Sequence, residues 1–215
     1  GGPCGGSAQA DPYGAALWPA AQVLAQAAVA HAADLAAAGA TPRILELGAG
    51  CGLASLAAAA AGAEVLATDF NELPLAFVAE AARRQGLHGR LRTEVFDICD
   101  ASRPLPAADL VMASDVLYEA STARAMGMRA VEARRRGTRV LVSDIGRPNR
   151  RAFVEELRRR WPGEGPAFDC SGVAVQGGKE VRVELLELPA GPAARALRSG
   201  PPSVVSRPAD HGHVL

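Results

Sequence analysis

From position 46 to position 52 the chain reads Glu-Leu-Gly-Ala-Gly-Cys-Gly, and here residue types and spacing first point to chemistry. Gly48, Gly50 and Gly52 alternate with Ala49 and Cys51. A short strand-like run, Ile44 to Leu47, precedes them, and an alanine-rich helical stretch, Leu53 to Ala61, follows. Strand, glycine turn and helix together form an arrangement that holds a nucleotide-like ligand. Without Cβ atoms the backbone turns sharply and approaches the ligand closely. The start of the helix then offers unpaired N–H groups and a partial positive charge to an anion. The bland alternative is a glycine turn with no ligand.

The spacing is G-x-G-x-G, which differs from the G-x-G-x-x-G of dinucleotide-binding turns and disfavours an NAD-dependent oxidoreductase. Glu46 stands two residues ahead of the first glycine. An acid there suits a ligand with a cationic part better than a pyrophosphate. S-adenosylmethionine, with its sulfonium and ammonium, is such a ligand. Asp69 follows the loop at about the 20-residue spacing of a ribose-binding carboxylate. The alternative is a cap on the next helix, because Asn71 and Glu72 come next, but the glycine loop upstream favours the ribose role. Further on, Asp97 can accept from an adenine amino group while Phe96 or Ile98 packs on the ring, the alternative being a solvated loop. Ser114-Asp115-Val116-Leu117-Tyr118 closes a fourth strand, at the strand end that carries ligands in open α/β sheets. Trp18 is either a core anchor or a lid over the ligand, and its pattern alone favours the core.

The elements that must position these residues read as follows. Pro19 opens a helix over Ala20 to Ala38, where proline is tolerated in the first turn. Strands are expected at Glu64 to Thr68, Leu91 to Phe96, Asp109 to Ser114 and Arg139 to Ser143. Helices are expected at Pro74 to Gln85, Ser121 to Arg136 and Arg150 to Trp161, whereas Ala101 to Ala108, with two prolines, is too short for one. A terminal hairpin joins Phe168 to Val175 with Val181 to Leu188 through the turn residues Gln176 to Glu180. The fold class is therefore α/β: a Rossmann-like, seven-stranded, mostly parallel sheet with helices on both faces and a C-terminal antiparallel hairpin. The domain plan is a flexible start over residues 1–10, one domain over 11–189 and a disordered tail over 190–215.

Composition narrows the classes. The 215 residues suit one domain of ordinary size, and 23 basic against 23 acidic residues give no general attraction to nucleic acid or anionic membrane. No apolar run approaches the ~20 residues that span a bilayer. The four cysteines and four histidines show no metal-ligand spacing, so no metal is expected and a reduced, cytoplasmic setting is favoured. The first residue is Gly1, so a mitochondrial setting stays open. A monomer is expected.

Four stretches resemble the class I, seven-strand S-adenosylmethionine-dependent methyltransferases. Within them they resemble the protein-lysine methyltransferase group that includes the enzyme for the electron-transfer flavoprotein β subunit. They are PYGAALWPAAQVLA (residues 12–25), ILELGAGCGLASLAAAAAGAEVLATD (44–69), DLVMASDVLYE (109–119) and SDIGRPN (143–149). The resemblance implies that Trp18 contacts the cofactor, that Asp69 binds its ribose, and that Ser114 and Asp115 line the methyl-donor and substrate site. Several relatives carry Trp near the end of the third strand, where this chain has Phe96-Asp97. The expected cofactor set is Trp18, Glu46, Gly48, Ala49, Gly50, Gly52, Asp69, Phe96, Asp97 and Ser114.

Methyl transfer from a sulfonium needs positioning more than acid–base chemistry. A lysine nucleophile must be neutral, which burial favours. Asp115 is expected to hold the incoming nitrogen and stabilise the positive charge that develops on it. Tyr118 is expected to wall the channel and face the cation, or else to pack beside the strand. The leading expectation is a protein-lysine N-methyltransferase. The alternatives are a small-molecule methyltransferase on the same fold and a non-catalytic S-adenosylmethionine-binding module.

Overall fold

The computed structural model describes residues 14, 16–161 and 170–190. The expected flexible start (1–10), the tail beyond residue 190 and the beginning of the expected hairpin at Phe168 lie outside the described residues.

The elements run α1 (Pro19–Ala37), β1 (Arg43–Leu47), α2 (Leu53–Ala60), β2 (Glu64–Asp69), α3 (Glu72–Arg84), β3 (Leu91–Val95), β4 (Leu110–Ser114), α4 (Ala120–Arg135), β5 (Arg139–Asp144), α5 (Arg150–Arg160), β6 (Cys170–Gln176) and β7 (Lys179–Leu188). The seven strands form one sheet in the order β3-β2-β1-β4-β5-β7-β6. β1 to β5 pair in parallel, and β7 pairs antiparallel with both β5 and β6. The order reverses between β1 and β4, so the strand ends of β1 and β4 form the crevice where open α/β sheets take ligands.

Strand alternation assigns side chains to two cores. Ile44, Val65, Leu110, Met112 and Leu141 pack with Leu24, Ala28, Ala54 and Val78 of α1, α2 and α3. Leu45, Leu47, Val111, Ala113, Val140 and Val142 pack with Met126, Ala130, Phe153 and Leu157 of α4 and α5. Helices therefore cover both faces, as the sequence predicts.

Differences from the predicted boundaries have local causes. α3 starts two residues before Pro74, because the Asn71 side chain caps it by accepting from the Leu73 N–H at 3.0 Å. β3 stops at Val95, where Phe96 N–H turns to the Asp69 carbonyl at 2.9 Å. Asp109 stands outside β4, its carboxylate accepting from the Arg43 backbone N–H at 3.0 Å and pairing with the Arg43 guanidinium. The hairpin turn is two residues long, shorter than predicted. Gly177 and Gly178 both have positive φ, 58° and 75°, as the tight mirror-image turn between twisted strands requires.

The β3–β4 connection has no helix of its own, as expected, and is held to α4 by side chains: Glu132 takes the Leu105 N–H at 2.9 Å, Arg136 donates to the Leu105 carbonyl at 2.6 Å, and Arg129 makes the most bonds. Arg129 of α4, 4% exposed, donates to the carbonyls of Ile98 (3.0 Å), Arg103 (2.9 Å) and Asp100, and pairs with Glu132. Replacing Arg129 by Met keeps the aliphatic stem and strands these carbonyls. The substitution should cost about 1–3 kcal/mol of stability, read as a lowered urea midpoint with unchanged m-value. An unchanged midpoint would mean that the connection holds itself.

Candidate active site

The C-terminal ends of β1, β2 and β4 border a cavity of about 310 Å³. Its floor is the glycine turn. Gly50 adopts φ +51° and donates its N–H to Asp69 Oδ2 at 3.0 Å, while Ala49 N–H donates to the Thr68 carbonyl at 2.8 Å. These bonds clamp the turn to β2. A Cβ at position 50 would sit 3.3 Å from the Gly14 carbonyl. A branched residue there is strained by the backbone and crowded by its neighbour. Gly50→Val should therefore lose cofactor binding by more than any single side-chain deletion at the site, read by calorimetry. Binding within threefold of wild type would take Gly50 out of the cradle.

Gly52 does different work from its expected one. It does not border the cavity; it starts α2 at φ +73°, and a Cβ there would fall 2.5 Å from Val78 of α3. Its hydrogen is what lets the two helices approach. Ala49 is likewise buried in the α1–α3 core, 7% exposed, and borders no part of the cavity.

Glu46 is the clearest correction. Strand alternation turns it to the same face as Ile44, away from the cavity and under α2. There it is 1% exposed and accepts from the Ser55 backbone N–H at 3.0 Å and from the Ser55 hydroxyl. Burial pushes its carboxyl from 4.5 up to about 7, with the Ser55 bonds opposing. A carboxyl raised in the folded state contributes fully below about pH 4.5 and loses that contribution as pH rises through about 7. The loss is on the order of 3 kcal/mol at ~1.4 kcal/mol per unit. Glu46→Gln should flatten the decline in urea midpoint between pH 5 and pH 8. An identical slope in the variant would assign the decline elsewhere.

Asp69 ends β2 at the cavity wall and is 6% exposed. Oδ2 takes the Gly50 N–H and Oδ1 takes the Asn71 N–H at 3.1 Å. The cap of α3 is Asn71, so Asp69 faces the cavity as a tethered acceptor. Next to it, Asp97 borders the cavity and accepts from Cys99 N–H through Oδ1 at 2.8 Å. Phe96 is 1% exposed, with the guanidiniums of Arg103 and Arg129 each 5.0 Å from its ring centre. It reaches the cavity from within the core, together with Ile98.

At the far end stand Ser114, Asp115 and Tyr118. Asp115 has φ +54°, the sole positive φ outside glycine among the described residues. Its Oδ1 accepts from Arg147 Nε at 3.1 Å, and its Oδ2 is buried without a hydrogen-bond partner. Burial raises its pKa, against the opposing pull of the Arg147 guanidinium and, more weakly, of the Ala20 backbone N–H, and the nearby Asp144 adds to the rise. Tyr118 is exposed, with its carbonyl taking the Asn149 Nδ2–H at 2.7 Å. Trp18, half-buried just before α1, walls the same end and belongs to neither large core, contrary to the preference of its sequence pattern.

Arg147 and Thr122 are among the cavity residues that escape a reading of the sequence. Arg147 stands over the Trp18 ring, 5.4 Å from its centre, and pairs with Asp115. Its backbone is fixed by Asp144, whose Oδ2 takes the N–H groups of Gly146 (2.8 Å) and Arg147 (2.9 Å) and pairs with Arg150. Val116 leans over Gly48, and Thr122, on α4, borders the cavity. For Arg147 the available signal was its place in the loop after β5, shortly before a further arginine, Arg150, begins a helix.

The sheet order and this cavity at its switch point are those of a class I S-adenosylmethionine-dependent methyltransferase. A family model described as lysine methyltransferase matches residues 7–158, and the chain belongs to that family. Among curated proteins it is 35% identical over 120 residues to the histone-arginine methyltransferase METTL23 of Xenopus laevis, covering 50% of this chain and 46% of the relative. The chain thus spans about half the length of that relative. Among solved structures it is similar to TrmN from Thermus thermophilus (28% identity, TM-score 0.54, 77% of this chain and 48% of that one). It is also similar to the putative RNA methyltransferase PH1948 from Pyrococcus horikoshii (16% identity, TM-score 0.58, 78% and 84%). A third is magnesium protoporphyrin IX methyltransferase from Synechocystis with bound S-adenosylmethionine (18% identity, TM-score 0.55, 78% and 81%). S-adenosylmethionine is the cofactor of this chain, and its residues fit it. The cavity offers a buried carboxylate at Asp69 beside a glycine cradle, and a buried, unpartnered carboxylate oxygen at Asp115.

Proposed function

We propose that this chain methylates a lysine side-chain nitrogen of a partner protein. The observation that carries the proposal is Asp115, a buried carboxylate at the end of the cavity with Oδ2 unpartnered. In this reading Asp69 holds the ribose hydroxyls, Asp97 the adenine amino group, and Gly48 and Gly50 the close approach of the backbone. Phe96, Ser114 and Trp18 complete the wall. Bound S-adenosylmethionine supplies a methyl group already activated by its sulfonium. The protein's own part is to bring the acceptor nitrogen into line, dry and neutral. Asp115 Oδ2 accepts from the N–H groups of that nitrogen and stabilises the charge it gains. Tyr118 walls the mouth and faces the cation. The description of the family as lysine methyltransferases supports the choice of lysine.

A second reading, arginine as acceptor, is favoured by one feature. The carboxylate of Asp115 and the ring of Trp18 already hold a guanidinium, that of Arg147. The name of the Xenopus relative points the same way. The deciding experiment incubates the protein with a proteome extract and labelled S-adenosylmethionine, then hydrolyses the labelled band and separates the methylated amino acids. Methyl-lysine supports the proposal and methylarginine the second reading. Label confined to small molecules would overturn both.

A further inference from the structure

We propose that the outer face of α4 and α5 is the docking surface for the acceptor protein, and that this partner is acidic around its methylated side chain. The inference rests on the reading of the chain as a protein methyltransferase and names the class of protein it serves. The chain is neutral as a whole, yet 12 of its 23 basic residues and only 4 of its 23 acidic residues fall within residues 120–161. All 12 are arginines. This segment holds β5 and the two helices on one face of the sheet. Met126, Ala130, Phe153 and Leu157 turn to the sheet. The helices lie side by side, since a Cβ on Gly127 of α4 would fall 2.9 Å from Glu156 Cβ of α5. Arg124 and Arg135, three turns apart on one stripe of α4, and Arg158 on α5 therefore face outward together. All three are exposed and have no ion-pair partner among the described residues, whereas Arg136, Arg151 and Arg159 pair with glutamates close by.

Ordinary causes leave part of this unexplained. Helix C-termini favour cations, which accounts for Arg134 and Arg135 in the last turn of α4 and for Arg158, Arg159 and Arg160 in that of α5. Helix starts favour acids, yet neither helix has an acid in its first turn, and α5 opens on Arg150 and Arg151. Solubility is served by mixed charges and needs no face of a single sign. The face also reaches the cavity: Thr122, in the first turn of α4, and Arg147, three residues before α5, border it. A partner seated there has its acceptor side chain at the mouth. The chemistry selects an acidic protein. Guanidinium forks match carboxylates in paired hydrogen bonds. A membrane surface would need apolar side chains to insert, and single-stranded RNA would need aromatic ones to stack. Neither helix exposes a large hydrophobic residue among the described residues: Phe153 is fully buried, and Trp161, just after α5, is half-buried with Arg134 3.5 Å from its ring centre. A lysine- or arginine-rich tail would be repelled.

The test labels a proteome extract with labelled S-adenosylmethionine, with and without ribonuclease and with membranes separated, and resolves the labelled proteins by isoelectric focusing. The proteins compared are wild type, Arg124→Glu with Arg135→Glu and Arg158→Glu, the same three sites changed to Gln, and a control, Arg92→Glu with Lys179→Glu, exposed on β3 and β7. Wild type should label a protein that focuses well below neutral pH. At limiting extract the triple Glu variant should label it at least ~10-fold more slowly. The triple Gln variant should fall between, and serves alone if the Glu variant fails to fold. The control should match wild type. Raising the extract concentration should recover the rate, because lost docking raises KM and leaves kcat in place. The affinity for S-adenosylhomocysteine, read by calorimetry, should not change. Added salt should slow wild type towards the Glu variant. Equal labelling by wild type and the folded variants would overturn the proposal, as would a basic acceptor. Labelling abolished by ribonuclease would assign the face to RNA, and labelling confined to the membrane fraction would assign it to anionic lipid; either overturns the proposal. Label in no protein would instead overturn the protein-methyltransferase reading on which it rests.

Discussion

Asp115→Ala should stay folded and bind S-adenosylmethionine within a few-fold of wild type, while methyl transfer to the partner protein falls by at least ~100-fold, the scale of removing a preorganised electrostatic interaction from the transition state. The carboxylate lies beyond the end of β4, and the glycine cradle and Asp69 stand on β1 and β2, so cofactor binding is spared. Alanine at φ +54° carries a backbone penalty of about 1 kcal/mol. Asn tolerates that conformation and is the better control. If hydrogen bonding dominates, Asp115→Asn recovers part of the activity; if the negative charge dominates, it recovers almost none. Near-wild-type turnover in folded Asp115→Ala would remove the residue from the active site. Asp144 is no substitute candidate, because it does not border the cavity: its Oδ2 is committed to Gly146, Arg147 and Arg150, and its Oδ1 is buried beneath them without a hydrogen-bond partner. Its work is to aim the Arg147 loop.

Asp69→Ala should weaken S-adenosylmethionine by roughly 10- to 100-fold, from the loss of charge-assisted hydrogen bonds worth about 1.5–3 kcal/mol. The structure adds a second route to the same loss. Asp69 Oδ2 holds the Gly50 N–H, so the variant also frees the turn that the ligand must meet. Asp69→Asn keeps an acceptor for one of these bonds and should fall between. Calorimetry of all three proteins beside their melting curves separates the two routes. A large loss in melting temperature with unchanged affinity would make Asp69 a support of the turn and no ribose ligand.

The sheet was legible because its apolar strands alternate with helices of clear period, and because glycines and prolines mark the joints. Alternation also decided Glu46, but only once the partner face was known. From the sequence a carboxylate two residues before the turn reads as a ligand group, whereas Ile44 fixes its side and Ser55, nine residues on, is what it meets. The place of Asp69 at the cavity wall was legible from its spacing to the glycine turn. Arg147 and Arg129 were not, since each acts through groups about 30 residues away: Asp115 for one, the Ile98 to Arg103 carbonyls for the other. No periodicity reports such contacts.

The Arg147–Asp115 pair has a consequence for how an acceptor enters under the proposed function. The carboxylate that would receive the acceptor nitrogen on Oδ2 already holds, on Oδ1, a cation tethered to the chain and set over the Trp18 ring. A neutral acceptor displaces nothing: Arg147 stays as a built-in counter-ion, and the site's net charge does not change on binding. Bulk salt should therefore alter this entry far less than it alters entry to a bare acidic pocket, because no ion is exchanged with solution. Affinity would rest on shape and on contacts outside the cavity. A free amino acid, lacking those contacts, would bind weakly.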